Sequence, residues 1–178
     1  MRSVVFSAWV TLITVAPLRL AAQDSTRPDS AALRPPEPTA DQQKYLRGLR
    51  TVARGVAQLR SGVDGVVRAE TSKDTLRLRR AGRLLAGLCG TARSFMTQGR
   101  PSMQAVAYED SARVKARRLV VQVDSMIKTL PACETAAGKA PTKSAADLLG
   151  RLRSYETALQ EFRVIVATPV ATPVVPQP

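Results

Sequence analysis

The stretch YLRGLRTVARGVAQLRSGVDGV, residues 45–66, decides how the chain folds. Its apolar residues Tyr45, Leu49, Val52, Val56, Leu59, Val63 and Val66 recur at alternating steps of four and three. A helix turns once in about 3.6 residues, so this spacing lays them along one stripe; a strand would need steps of two. Gly48, Gly55 and Gly62 recur at heptad spacing along one edge of that stripe. Each glycine costs a helix about 1 kcal/mol against alanine. A penalty repeated in register points to a second backbone passing close to that edge, within the bundle or from a second subunit.

Three further segments carry the same period. Leu78, Ala81, Leu85, Leu88, Ala92 and Phe95 form one seam; Ala105, Tyr108, Ala112, Ala116, Leu119, Val123, Met126 and Leu130 form another. Ala145, Leu148, Leu152, Tyr155, Leu159, Phe162 and Val166 form the last. No useful length of chain alternates by two. Thr39 with Gln42, and Ser144 with Asp147, read as capping boxes; residues 71–74 suit a second helix start, Pro101 a third, and Pro131 a stop. The expected fold is therefore all-α: an antiparallel bundle of four helices at 40–69, 74–98, 101–130 and 144–166. The links are short except for a longer one at 131–143.

Outside the bundle the composition changes. Arg2 precedes the uncharged, largely apolar run Val4–Ala16, and Leu20-Ala21-Ala22 offers a cleavage site. That run falls short of the ~20 residues a spanning helix needs, so residues 1–22 read as an export signal, with an uncleaved anchor as the alternative. No transmembrane span is expected after processing, and the address is periplasmic or secreted. Residues 23–39 form a Pro-rich disordered linker, 40–166 the helical body and 167–178 a Pro-rich disordered tail, which repeats Ala-Thr-Pro-Val.

The chain has 178 residues, 27 basic, 14 acidic, two cysteines and no histidine. Histidine is the commonest general base and metal ligand, and its absence removes Ser-His and Cys-His catalysis, haem ligation through histidine and the usual zinc sites. No Gly-rich phosphate loop is present. The acids are dispersed, so no catalytic, metal or cofactor residue is assigned. An envelope-glycan hydrolase is the weakest alternative, because its two carboxylates must face each other across a cleft.

Cys89 and Cys133 lie in a chain expected to leave the cytosol, which favours pairing. A straight hairpin turning near residue 100 resists it. At ~1.5 Å per residue, Cys89 would sit about 15 Å from the turn and Cys133 about 45 Å from it. Bridged Cα atoms lie about 4.4–6.8 Å apart. The bond therefore requires a helix break near 87–90 or around 97–107; otherwise the cysteines pair between chains or stay free. An intramolecular bond is the preferred reading.

Removing Arg2 and Arg19 with the leader takes 27 basic residues to 25 against 14 acidic, a net +11. Projected at 100° per residue, Arg47, Arg50, Arg54 and Arg68 share an outer line of the first helix. Arg79, Arg80, Arg83 and Arg93 lie away from the second seam, and Arg113, Arg117 and Arg118 away from the third. The arginines form a candidate surface for an anionic envelope component or an acidic protein. The competing reading is an ordinary solvated coat, supported by acid–base pairs four apart: Asp64/Arg68, Glu109/Arg113, Asp124/Lys128 and Asp147/Arg151. Nucleic acid is disfavoured, because Tyr45, Phe95, Tyr108, Tyr155 and Phe162 all fall on seams and leave no surface stacking platform. The functional expectation is an exported, non-enzymatic binding protein. The runner-up is a structural or homo-oligomer-forming bundle without a specific ligand.

Overall fold

Four helices account for nearly all of residues 37–167, the part of the chain described by the computed structural model. They are α1 (Ala40–Thr71), α2 (Thr75–Gly99), α3 (Asp110–Ala136) and α4 (Pro141–Ala167), with no strand among the described residues. The leader, residues 23–36 of the linker and residues 168–178 of the tail lie outside the described residues. The chain divides between Arg34 and Pro35, and the helices belong to the second unit.

Local chemistry starts the first two helices. Thr39 accepts from the Gln42 backbone N–H, and the Gln42 side chain accepts from the Thr39 N–H, which completes the expected box. Asp74 accepts from the Leu76 and Arg77 backbone N–H groups and opens α2. Between them the chain turns through Lys73, whose φ of 55° is the left-handed conformation that ends many helices.

The register follows from cross-helix contacts. Gly48 meets Gly99, Gly55 meets Ala92 and Gly62 meets Leu85, so α1 and α2 run antiparallel about the turn at 72–74. Lys115 and Arg118 reach Glu161, and Ser125 accepts from Arg151, which sets α3 antiparallel to α4. The Arg60–Glu156 ion pair closes the ring between α1 and α4. The buried cluster fills the middle, from Tyr45 to Phe162, so residues 40–167 carry their own core.

The helix boundaries depart from expectation in three places. Residues 100–109 are not the start of α3; they make 3-10 turns at Arg100–Ser102 and Ala105–Ala107. Met103 and Tyr108 are buried there, so a helix-like spacing of apolar residues is met by a tighter backbone. Pro131 does not stop α3, which continues to Ala136. Leu130 and Cys133 are buried on either side of it, and this packing outweighs the hydrogen bond that proline cannot donate. Finally, α4 begins at Pro141, where a missing N–H costs nothing, and Ser144 is buried inside the helix instead of capping it. The last link therefore shrinks to 137–140.

The α2 seam is rotated from the expected one. Gly82, Leu85, Cys89, Ala92, Met96 and Gly99 are buried, while Leu88 and Phe95 sit half-buried at the edge. Phe95 is thus not core, and Val166 of the last seam is exposed.

Candidate anion-binding surface

Cys89 and Cys133 are bonded within the chain, with Cα atoms 6.1 Å apart. The residue midway between them is 111, at the start of α3 and not near Gly99. The 100–109 segment carries the chain onward past the end of α2 before α3 turns back. Arg100 pins that segment, donating to both carboxylate oxygens of Asp124 at 2.6 and 2.9 Å. This hydrogen bond also holds the Arg100 guanidinium above its ordinary pKa.

The glycine edge of α1 is filled by α2. A Cβ at Gly48 would lie 2.6 Å from the Gly99 carbonyl oxygen, and one at Gly55 would lie 2.8 Å from that of Ala92. At Gly62 it would meet the ends of the Leu85 and Leu88 side chains, at 2.8 and 3.1 Å. Gly82, not singled out from the sequence, brings α2 against the α3–α4 turn; a Cβ there would lie 2.5 Å from the Ala137 oxygen.

Tyr45, Tyr108 and Phe162 pack edge to face and tilted, with ring centres 5.2–5.4 Å apart. The Tyr45 hydroxyl crosses the bundle and donates to the Ala116 carbonyl at 3.1 Å. The Tyr108 and Tyr155 hydroxyls are buried without a hydrogen-bond partner. Burial pushes both phenols up to about 12, and Tyr45 is raised by the same cause. Tyr108→Phe and Tyr155→Phe should each stabilise the body by about 1 kcal/mol, whereas Tyr45→Phe should cost about as much. An unfolded tyrosine ionises near pH 10, well below these folded values. Stability present below pH 10 should accordingly be lost between about pH 10 and 12, with tyrosinate absorbance rising as helicity falls. Ionisation that precedes the loss of helicity would contradict this.

The arginines divide into two groups. Arg93 lies 3.7 Å from Glu134, Arg118 pairs with Glu161, and the Arg113 Nε donates to the Tyr108 carbonyl. The hydrogen bonds from Lys115 and Arg118 hold Glu161 below the usual carboxylate range. Arg47, Arg50, Arg54, Arg68, Arg79, Arg80, Arg83 and Arg117 are exposed, with no side-chain hydrogen bond or ion pair to the described residues. The four expected pairs along single helices do not form. Asp124 turns to Arg100, Arg113 to a carbonyl and Arg151 to Ser125, while Asp64 and Arg68 stay apart. Tertiary neighbours offer firmer partners than a solvated helix face does.

One part of this coat is concave. A groove of about 560 Å3 runs between the start of α2 and the α3–α4 turn. Arg79, Arg80, Arg83 and Lys139 line it, with Leu76 and Pro141, and no carboxylate is among its lining residues. Lys139 could not be assigned to it from sequence, because the groove exists only once α4 packs back on α2. Among the described residues, no group of three or more His, Cys, Asp or Glu is placed to hold a metal ion. No described helix is long and apolar enough to cross a membrane. No family model, curated protein or solved structure matches the chain.

Proposed function

We propose that this is an exported, non-enzymatic binding protein whose arginine-rich surface takes an anionic envelope component or an acidic protein. The observation that carries the reading is the set of eight exposed arginines with no ionic partner among the described residues. Arginines already paired within a fold have spent their charge locally; these have not, and their field adds over the surface. The apolar leader run supports an address outside the cytosol, where the facing Cys89 and Cys133 can stay oxidised.

Heparin, a soluble polyanion, tests the reading. Retention should persist above ~0.1 M salt and weaken in both Arg47→Gln/Arg54→Gln/Arg68→Gln and Arg79→Gln/Arg80→Gln/Arg83→Gln. Elution below that salt concentration, or retention indifferent to both triple variants, would remove the proposal.

A further inference from the structure

We infer that the first turns of α2, together with the α3–α4 turn, form a docking face for an anionic lipid bilayer. The inference rests on the anion-binding reading above and gives it a ligand class. Leu76, Arg80 and Leu84 follow one another at four-residue spacing, so they make one outward stripe on α2. Leu76 is 63% exposed and Leu84 61%. Every other leucine among the described residues is buried or half-buried. A single exposed leucine needs no explanation. Here the two that are exposed flank Arg80, and the groove holding Arg79, Arg80, Arg83 and Lys139 begins at Leu76.

Two kinds of demand are made at one place. The guanidinium groups call for oxyanions that can accept paired hydrogen bonds, which phosphate does well. The leucines call for an apolar medium within a few ångströms of those oxyanions. The boundary between lipid headgroups and acyl chains supplies both at that spacing. A sulfated or phosphorylated polymer in water supplies only the first. The charge fits as well: no carboxylate lines the groove, and Asp74 at the head of α2 caps the helix and is paired with Arg77.

The test uses the chain without residues 1–22, so that Val4–Ala16 cannot itself enter the bilayer; the buried cluster of the described residues, Tyr45 to Phe162, is kept whole. This trimmed chain is titrated with vesicles of phosphatidylcholine, alone or mixed with phosphatidylglycerol. Binding is expected only to the mixed vesicles. Leu76→Ser/Leu84→Ser should weaken it on the order of a hundredfold, about tenfold per leucine, and leave heparin retention unchanged. Arg79→Gln/Arg80→Gln/Arg83→Gln should also weaken it on the order of a hundredfold. Arg47→Gln/Arg54→Gln/Arg68→Gln should change it less than about tenfold, because that line lies outside the face. All these side chains are exposed, and helicity and melting of each variant confirm the fold. Retention on heparin with no vesicle binding would overturn the lipid inference and leave the anion reading standing. So would a leucine variant that binds as well as the parent, or equal losses from the two arginine triples. Failure on both probes would remove the reading and the inference together.

Discussion

Reducing the Cys89–Cys133 bond is expected to lower the unfolding free energy of the helical body by about 4 kcal/mol. The bond closes a loop with a sequence separation of 44, and the entropy withheld from an unfolded chain by a loop of that size corresponds to about this value. The same loss should appear in Cys89→Ala/Cys133→Ala, which avoids burying new hydroxyls at two sites 0% and 6% exposed. Denaturant titration separates the cause. If the bond acts by restraining the unfolded chain, its removal exposes more surface on unfolding and the slope should steepen as the midpoint falls. An unfolding free energy that falls by less than about 1 kcal/mol would mean that packing alone holds α2 against α3. A mass two protons short in the non-reduced monomer verifies the starting state.

Two triple variants of identical composition should move stability in opposite directions. In Gly48→Ala/Gly55→Ala/Gly82→Ala, each new methyl would lie 2.5–2.8 Å from a backbone oxygen of a neighbouring element. Backbone cannot turn aside as a side-chain end can, so each site falls toward the top of the ~1–3 kcal/mol range for overpacking. Against about 1 kcal/mol of helix propensity gained per site, the net loss is about 4–6 kcal/mol. In Gly65→Ala/Gly87→Ala/Gly150→Ala nothing lies within 4 Å of the added carbon, and all three sites are inside helices. Only the propensity remains, a gain of about 2–3 kcal/mol. Melting temperatures that shift the same way in both would refute the close-approach account. Gly62→Ala belongs between them, because the Leu85 and Leu88 methyls it meets are side-chain ends that can rotate away.

The four helices were legible because each buries one stripe, and a stripe leaves a period in the sequence. Tyr45 to Val66 could be read directly, since α1 uses nearly the same residues for its seam and its core. The start of α3 was not legible. Ala105, Tyr108 and Ala112 keep a helical spacing although the backbone around the first two is 3-10 and extended, and side-chain period does not distinguish these. Pro131 read as a stop because propensity is local, while the burial of Leu130 and Cys133 is not. Starting α3 at Pro101 placed the reversal near residue 100, which set Cys89 and Cys133 at different distances from the turn and made their pairing look strained. The arginines were legible one by one. Their sorting into paired and unpaired was not, because Glu161 reaches Lys115 and Arg118 only through the fold. Leu76 and Leu84 left a fainter trace: each adjoins one arginine, Arg77 and Arg83, and stands outside every seam.

The up-down-up-down order gives the molecule two dissimilar poles. The chain enters at Glu37 and leaves at Ala167 at one of them, beside the Tyr45–Tyr108–Phe162 plug. The two tight reversals at 72–74 and 137–140, with the Lys139 groove, occupy the other. At 1.5 Å per residue the 32-residue α1 separates them by about 45 Å. Whatever occupies the Lys139 groove would therefore lie a bundle's length from both Glu37 and Ala167.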